Sequence, residues 1–204
     1  MNTFNLLLVC IAAALPTLSS AWMTMSLASG LPMRRSVAKF TSDPIPEGAI
    51  HAAVEAATMA PNHFLSEPTR MYDLGPETVA KLSELNPEKA KMFSGVPGWM
   101  LVTIKTEHLD ENGGISAKLA LEDHATVSCA TQNFMQSLTE DGVGSKWMTG
   151  ALGLAPEDIL KAAGVGEGEL MVGMIWYGMP AKPLEELKAP KRKLSVEDVL
   201  TKVA

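Results

Sequence analysis

The sequence contains little cysteine, no excess of basic residues and no long apolar run. Of its 204 residues only two are cysteines, and Cys10 falls in a segment that we expect to be removed. A chain left with Cys129 alone can form neither an internal disulfide nor a cysteine-based zinc site. The formal net charge of −6 argues against nonspecific nucleic-acid binding, which depends on excess Lys and Arg. We therefore predict no disulfide framework and no nucleic-acid partner.

Familiar metal and hydrolase motifs are missing as well. The four histidines, His51, His63, His108 and His124, lack the spacing of metal ligands in a motif such as HExxH. No GxSxG or Ser/His/Asp pattern occurs. The glycines of "GVGS" at 142–145 follow a helical pattern and precede a strand pattern, which is the reverse of the order in phosphate-binding loops. We predict no metal site and no dinucleotide fold of that type.

Charged side chains are absent from residues 1–33. Within them, 6–15 is an apolar run of ten residues, about half of the roughly 20 that a membrane-spanning helix needs. Small residues end at Ala21, as they do at a signal-peptidase site. Residues 1–21 are therefore predicted to be a secretory signal peptide and not a stable membrane anchor, with a buried N-terminal helix as the alternative.

The next segment, 22–33, is rich in Ser, Met and Thr and contains no acidic residue, which indicates a transit segment or a linker. The junction between Ala21 and Trp22 resembles the bipartite plastid presequences of algae with secondary plastids. That resemblance implies entry into the secretory route followed by delivery to a plastid. Secretion is the alternative.

The remaining chain, 34–204, has the hydrophobic pattern of one folded domain. Its helical and strand patterns do not alternate as βαβ units, which favours an α+β fold with a sheet covered by helices. The long helical pattern has apolar or small residues on several faces and is predicted to be buried all round, and the last strand is predicted to be central. Helices are predicted at 46–59, in "ETVAKLSEL" after Pro76, at 116–140 and in "PEDILKAAG" before a stop at Gly164; strands are predicted at 98–106, in "VGSKWMTG" and in "ELMVGMIWYGMP".

Polar and basic side chains concentrate in separate segments: "RRS" at 34–36, "APNHFLSEPTR" at 60–70, "WMTG" at 147–150 and "KRK" at 191–193. Their order, in "RRSVAKF", "AATMAPNHFLSEPTR", "EDGVGSKWMTGALG", "YGMPAKP" and "PKRKLSVEDVL", resembles the nitroreductase family of FMN-dependent oxidoreductases. The resemblance runs from about residue 34 to the C-terminus. It implies an α/β/α sandwich with a mostly antiparallel sheet, stable as a homodimer with two FMN sites across the subunit interface. The helix at 116–140 would be the central dimer helix.

The resemblance also assigns residues to the cofactor FMN. The opening motif would contact the ribityl chain, the phosphate and the ring edge, and the C-terminal basic pair would reach the phosphate. The loop after Pro61 would form a wall of the pocket from the partner subunit, and "WMTG" would line the ring, with a backbone N–H at 149–150 directed to flavin N5. The residues so predicted are Arg34, Arg35, Ser36, Met59, His63, Glu67, Trp147, Met148, Thr149, Gly150, Arg192 and Lys193.

The function implied is a ping-pong transfer of hydride from NAD(P)H to FMN and then to a small aromatic acceptor such as a nitroaromatic or a quinone. In this scheme no side chain of the protein acts as a catalytic acid or base. Two positions depart from relatives: Thr69 stands where many have Trp, and Met148 where some have a basic residue. The alternatives are a flavin-binding or flavin-storage dimer with little turnover, a dehalogenating or other flavin-using enzyme, and a dimeric scaffold without FMN.

Overall fold

The computed structural model describes residues 31, 33–105, 116–150 and 152–203. The predicted signal peptide at 1–21, and the predicted transit segment or linker at 22–33 apart from Leu31 and Met33, lie outside these residues. In the described part the helices are α1 (Ala49–Thr58), α2 (Pro76–Leu85), α3 (Ala90–Phe93), α4 (Ala117–Glu140), α5 (Pro156–Ala162) and α6 (Val196–Val199), and the strands are β1 (Thr69–Asp73), β2 (Gly98–Lys105), β3 (Gly144–Met148) and β4 (Glu169–Gly178).

The strands form one sheet in the order β1-β2-β4-β3, and every neighbouring pair is antiparallel. The predicted antiparallel sheet and the central position of the last strand are both confirmed. Strand β1 has no counterpart in the sequence prediction, which places Thr69 and Arg70 in the polar loop before it. β1 is a short edge strand, and its pairing with β2, which decides its conformation, has no signal in a sequence of mixed polarity.

Helices cover both faces of the sheet. On one face α1 and α4 pack on the apolar side of the central strands, with Phe134 of α4 fully buried. On the other face α2, α3 and α5 pack around Trp99 and Trp176, whose ring centroids lie 5.1 Å apart. The two cores follow from the alternation of side chains along the central strands, since β2 is buried on both sides along 98–104 and β4 along 173–178. The predicted α/β/α sandwich is confirmed.

The boundaries of α1 differ from the prediction at its start. The helix begins at Ala49 and not at Pro46, because Gly48 has a φ of 81°, a left-handed conformation that cannot continue a right-handed helix. The N–H of Ala49 donates to the Pro46 carbonyl in the turn before it, at 3.1 Å. The predicted stop of α5 is confirmed, since the helix ends at Ala162.

Helix α4 was predicted to be buried on all sides. In the structure it is buried where it packs against the sheet, and its outer face is exposed. The side chain of Leu121 is 72% exposed, and Cys129 is exposed on the same helix. Small and apolar residues on several faces indicated neighbours all round; in one chain the outer face of the N-terminal half has none among the described residues. None of the helices described combines the length and the apolarity that crossing a bilayer requires.

Candidate functional site

The segment that carries the "RRS" motif is fastened to the sheet on two sides. The N–H of Val37 donates to the Ser145 carbonyl in β3, at 2.9 Å. Further along, the N–H of Thr41 donates to the carbonyl of Met179, just after β4, at 2.8 Å. These bonds hold 34–36 at the start of β3, beside the chain that leaves β4.

Close packing between this segment and β3 requires a glycine. A Cβ atom at Gly144 would lie 2.7 Å from Cγ2 of Val37, a distance that carbon atoms in proteins do not adopt. With no side chain at Gly144, the N-terminal segment can approach β3 closely enough to form its backbone bond.

The C-terminal segment is tied to the same place through Arg35. The Nε of Arg35 donates to the Leu187 carbonyl at 3.1 Å, and its Nη1 donates to the carbonyl of Arg34 at 3.0 Å. Leu187 follows the short 3₁₀ turn Leu184–Glu186. Beyond it, the basic segment 188–193 runs back towards the N-terminal motif.

A cavity of about 710 Å³ lies where the two segments meet. Four of the residues predicted to bind the cofactor share it, although they come from opposite ends of the sequence. Acidic side chains are absent from the described residues that line it. The lining consists of Leu31, Arg34, Arg35, Ser36, Leu187, Lys188, Ala189, Pro190 and Arg192.

The charges around this cavity favour an anion. The pKa of Arg34 is lowered from its usual value, first by burial and then by repulsion from Arg192 and Arg35. Both effects disfavour the charged guanidinium, and the attraction of a bound anion would offset them. A phosphate suits the arrangement because each guanidinium can donate two parallel hydrogen bonds to its oxygens.

Of the two residues of the predicted basic pair, only Arg192 lines the cavity. Lys193 is exposed and lies outside the lining. Lys188 lines the cavity instead and was missed by sequence reasoning. It belongs to the same basic run, "KAPKRK", so the signal was present, but the choice among its cations depended on the path of the chain.

The predicted ring-binding stretch lies at the end of β3, which is an edge strand of the sheet. Thr149 and Gly150 follow the strand and are exposed, so their backbone N–H groups can reach a ligand. Met148 is only 4% exposed and packs in the core with the α5 helix. Its side chain is therefore part of the fold, which leaves its backbone as the part that could face a cofactor.

Two buried donors on β3 have no hydrogen-bond partner among the described residues: Nε1 of Trp147 and Oγ of Ser145. The Trp147 ring fits against the sheet because Gly173 on the adjacent strand has no side chain; a Cβ there would lie 2.2 Å from Nε1. Buried donors without a partner are uncommon and point to a group that the chain itself does not supply. Neither residue lines the arginine cavity, so the fit of a ligand depends on that cavity and on the exposed backbone that follows β3.

The loop after Pro61 is fastened to α4 and not to the arginine cavity. The Ser66 hydroxyl donates to Oδ1 of the buried Asp123 at 3.0 Å, and the Thr126 hydroxyl donates to the Pro61 carbonyl at 3.0 Å. His63 Nδ1 lies 3.3 Å from a carboxylate oxygen of α4, at Glu122, a contact that becomes an ion pair when the imidazole is protonated.

This loop has an unusual backbone and an apolar surface. Phe64, Leu65 and Glu67 have φ values of 49°, 56° and 42°, a left-handed conformation that costs non-glycine residues about 1 kcal/mol or more each. Phe64 and Leu65 are 87% and 80% exposed, and the nearby Met59 is 77% exposed. Such strain is found mainly where a binding surface requires a particular conformation.

The structure therefore divides the predicted residues into groups. The motif at 34–36 and Arg192 share one cavity, and the stretch 147–150 lies along and beyond β3, whose first residues border the same motif. Met59 and His63 do not line the arginine cavity of the described chain. Glu67 lines a separate cleft of about 210 Å³. The described residues of one chain therefore do not place Met59, His63 and Glu67 at the arginine cavity.

Comparison with known proteins supplies a family. The family model described as "Nitroreductase family" matches residues 31–119. Among characterised sequences, the chain is 28% identical over 187 residues to YfhC of Bacillus subtilis, assigned by inference as an NAD(P)H nitroreductase, and the alignment covers 83% of this chain and 90% of YfhC.

Solved structures with the same fold include a nitroreductase-like family protein from Bacillus cereus (TM-score 0.70, 23% identity, 87% of this chain and 96% of that one). Another, from Desulfovibrio desulfuricans, is an inferred nitroreductase in complex with FMN (TM-score 0.68, 18% identity, 87% and 96%). A third is the NADPH:FMN oxidoreductase of Vibrio harveyi, complexed with NAD⁺ (TM-score 0.65, 14% identity, 85% and 81%). At these identities the likeness establishes the fold.

Proposed function

We propose that this chain, as a member of the nitroreductase family, passes hydride from NAD(P)H to a small aromatic acceptor such as a nitroaromatic or a quinone. Membership of the family is indicated by the matching family model, the relative in Bacillus subtilis and the fold. It is an oxidoreductase of the NAD(P)H nitroreductase type, with FMN as its cofactor. The observation that carries the proposal is the cavity in which Arg34 and Arg192 meet without an acidic side chain among the described lining residues.

Each group of residues would hold a different part of the cofactor. Arg34 and Arg192 would bind the phosphate, and Ser36 at the cavity wall would hydrogen-bond the ribityl chain. The exposed backbone at Thr149 and Gly150 would provide N–H donors to the ring edge that reacts. This assignment uses the arginine cavity for the phosphate and the end of β3 for the ring.

When bound, FMN supplies the redox chemistry, because its ring accepts a hydride and can release it again. The protein's part is binding and electrostatics. The positive charge at Arg34 stabilises negative charge in the cavity, the more so because its burial reduces screening by water. Donors fixed in the backbone need no rearrangement during the reaction. A side chain acting as acid or base is not required.

We further propose that the working form is a homodimer, with the loop around His63 completing the site of the other copy. The support is an exposed apolar surface formed by Met59, Phe64 and Leu65 on this loop and by Leu121 on α4. Large apolar side chains exposed together in this way are typical of an interface. The C-terminal segment adds Leu194, Val196, Val199, Leu200 and Val203, which are 60% to 89% exposed.

The test is an anaerobic titration of the FMN-loaded protein. NADH and NADPH are added separately while the flavin absorbance is followed, and a panel of nitroaromatics and quinones is then added to the reduced protein. We expect bleaching by at least one nicotinamide and recovery of colour with an acceptor. A colourless protein that does not bind added FMN would remove the proposal, and a yellow protein that neither nicotinamide bleaches would indicate flavin storage.

The N-terminal predictions lead to a separate proposal about location. We propose that residues 1–21 direct the chain into the secretory route and that cleavage follows Ala21. The N-terminal sequence of the protein purified from its own cells tests this, and its recovery from plastids or from the medium separates the two destinations. A mature protein that begins at Met1 would contradict the proposal.

A further inference from the structure

Arg35 differs from Arg34 in what its side chain does. Its Nε donates to the Leu187 carbonyl and its Nη1 donates to the Arg34 carbonyl. A guanidinium binds phosphate most strongly when two neighbouring N–H groups face two oxygens together. In Arg35, Nε and Nη1 are already engaged with backbone carbonyls.

The bond to Leu187 comes at a critical place in the chain. Upstream of it, the N-terminal and C-terminal segments are joined by backbone bonds, from the N–H of Thr41 to Met179 and from the N–H of Ala181 to Lys39, at 2.8 and 3.0 Å. Within the described residues, no backbone hydrogen bond joins 188–194 to another part of the chain. Arg35 therefore makes the last tie between the two segments before the basic residues begin.

The position of Arg192 depends on that tie. Arg192 follows Leu187 by five residues, a length of free chain that could place its guanidinium in many positions. In the structure Arg192 lines the same cavity as Arg34, and its charge lowers the pKa of Arg34 by repulsion. A fixed start at Leu187 reduces the conformational freedom that the segment loses when it closes over an anion.

We propose that Arg35 is a positioning residue, which holds the Leu187 carbonyl so that Arg192 reaches the same anion as Arg34. The effect of Arg35 on cofactor binding then acts through Arg192 and requires the hydrogen bond more than the charge. The inference rests on the proposed function insofar as the anion is the phosphate of FMN.

Three variants separate the hydrogen bond from the charge. In Arg35→Gln, Nε2 is the same number of bonds from the backbone as the arginine Nε and can donate to Leu187, but the charge is lost. In Arg35→Met, a carbon atom takes that place, and donor and charge are both lost. Arg34→Gln removes a charge that faces the cavity without affecting the tie.

The dissociation constant of FMN, measured by quenching of flavin fluorescence, gives the first readout. We expect Arg35→Met to bind about tenfold more weakly than the wild type, and Arg35→Gln to recover most of that loss. Arg34→Gln should bind much more weakly than Arg35→Gln. If the two glutamine variants lose affinity equally, Arg35 acts through its charge and the proposal is wrong.

A double-mutant cycle with Arg192→Met gives the second readout. If Arg35 acts through Arg192, then Arg35→Met has little further effect on FMN affinity in a chain that already carries Arg192→Met. Additive losses would show that the two residues act independently and would overturn the inference. Should Arg35→Met fail to fold, the comparison of Arg35→Gln with Arg34→Gln still decides the question.

Limited trypsin digestion tests the tie without any cofactor. Lys188, Lys191, Arg192 and Lys193 are cleavage sites just beyond Leu187. Cleavage there should be severalfold faster in Arg35→Met than in the wild type and unchanged in Arg35→Gln. Equal rates in all three chains would contradict the tie, whereas a wild type that fails to bind FMN would contradict the proposed function alone.

Discussion

Arg34 carries its charge in an unfavourable place. It is partly buried, and its pKa is lowered by that burial and by the neighbouring Arg192 and Arg35. No acidic residue is among the described residues that line the cavity, where Arg192 and Arg35 repel the charge of Arg34. The negative charge of a bound phosphate, as proposed for FMN, would favour the charged form of Arg34.

A charge removed from the cavity should weaken cofactor binding. We expect Arg34→Gln to raise the dissociation constant of FMN about ten- to hundredfold, because a charge-assisted hydrogen bond to phosphate is lost. Lys161→Gln, a change of the same kind on the exposed end of α5, is the matched control. Fluorescence titration of both variants checks this, and an equal affinity for the two would show that the phosphate lies elsewhere.

Tyr177 is expected to make the stability of the fold decrease at alkaline pH. Its hydroxyl donates to Asp73 of β1 at 2.5 Å, and its pKa is raised, mainly by burial and then by this bond. The folded protein favours the protonated phenol, so the stabilisation is fully present below the unfolded pKa of about 10 and is lost as the pH rises towards the higher folded pKa.

We therefore expect the free energy of unfolding to fall above about pH 10, and to fall less steeply in Tyr177→Phe. At pH 8 the variant should be about 1.5 kcal/mol less stable, because a hydrogen bond to a carboxylate is lost. Urea unfolding of the wild type and of Tyr177→Phe, at pH 8 and above about pH 10, measures both effects. Tyr72, whose pKa is also raised, remains in the variant and should keep part of the alkaline loss; identical curves would refute the assignment to Tyr177.

At the scale of elements, the site is built by the contact between the N-terminal segment and β3. Their approach requires Gly144, since a Cβ there would lie 2.7 Å from Val37. A displaced segment would move Arg34 and Ser36 away from the cavity. The effect on binding would act through the position of the segment.

Gly144→Ala should destabilise the fold by about 1 to 3 kcal/mol and weaken FMN binding, because the added methyl group pushes the segment off β3. Gly166→Ala, where no atom lies within 4 Å of the new Cβ, is the control. The double variant Gly144→Ala with Val37→Ala should recover part of both losses. Thermal unfolding and FMN titration check this; if the double variant is no better than the single one, the contact with Val37 is not the cause.

Among the elements, regular helices and central strands were predictable and the edges were not. The period of apolar residues and Pro76 gave α2, and the continuous apolar run of β4 gave a central strand. Strand β1 was missed because its conformation depends on pairing with β2, and the start of α1 was misplaced because the left-handed φ of Gly48 has no signal in the pattern. Local propensity is decisive only where partners agree with it.

At the scale of the molecule, one chain leaves an apolar surface unpaired. Met59, Phe64, Leu65 and Leu121 are at least 72% exposed, and the loop that carries Phe64 and Leu65 is strained. Association of two copies would bury this surface, and each Å² of apolar area buried would stabilise the dimer by about 25 cal/mol. In the proposed dimer, the loop would complete the site of the other copy.

We expect Phe64→Ser with Leu65→Ser to weaken the homodimer, because two large apolar side chains leave the interface. Light scattering during size-exclusion chromatography measures the association over a range of concentrations. FMN affinity should fall together with the dimer if the loop completes the site. The control is Leu85→Ser with Leu170→Ser, which removes exposed apolar residues at other places. An equal effect of both double variants would show that the loop is not an interface.

The sequence by itself determined the composition of the site and the class of the fold. Basic residues at 34–35 and 191–193, and the "WMTG" and "APNHFLSEPTR" segments, indicated FMN through their resemblance to the nitroreductase family. Only the tertiary structure decided which cations meet: it placed Arg192 and Lys188 at the cavity, left Lys193 outside, and used Arg35 to hold Leu187. The reason is that residue type is local, whereas the convergence of side chains far apart in the sequence depends on the path of the chain between them.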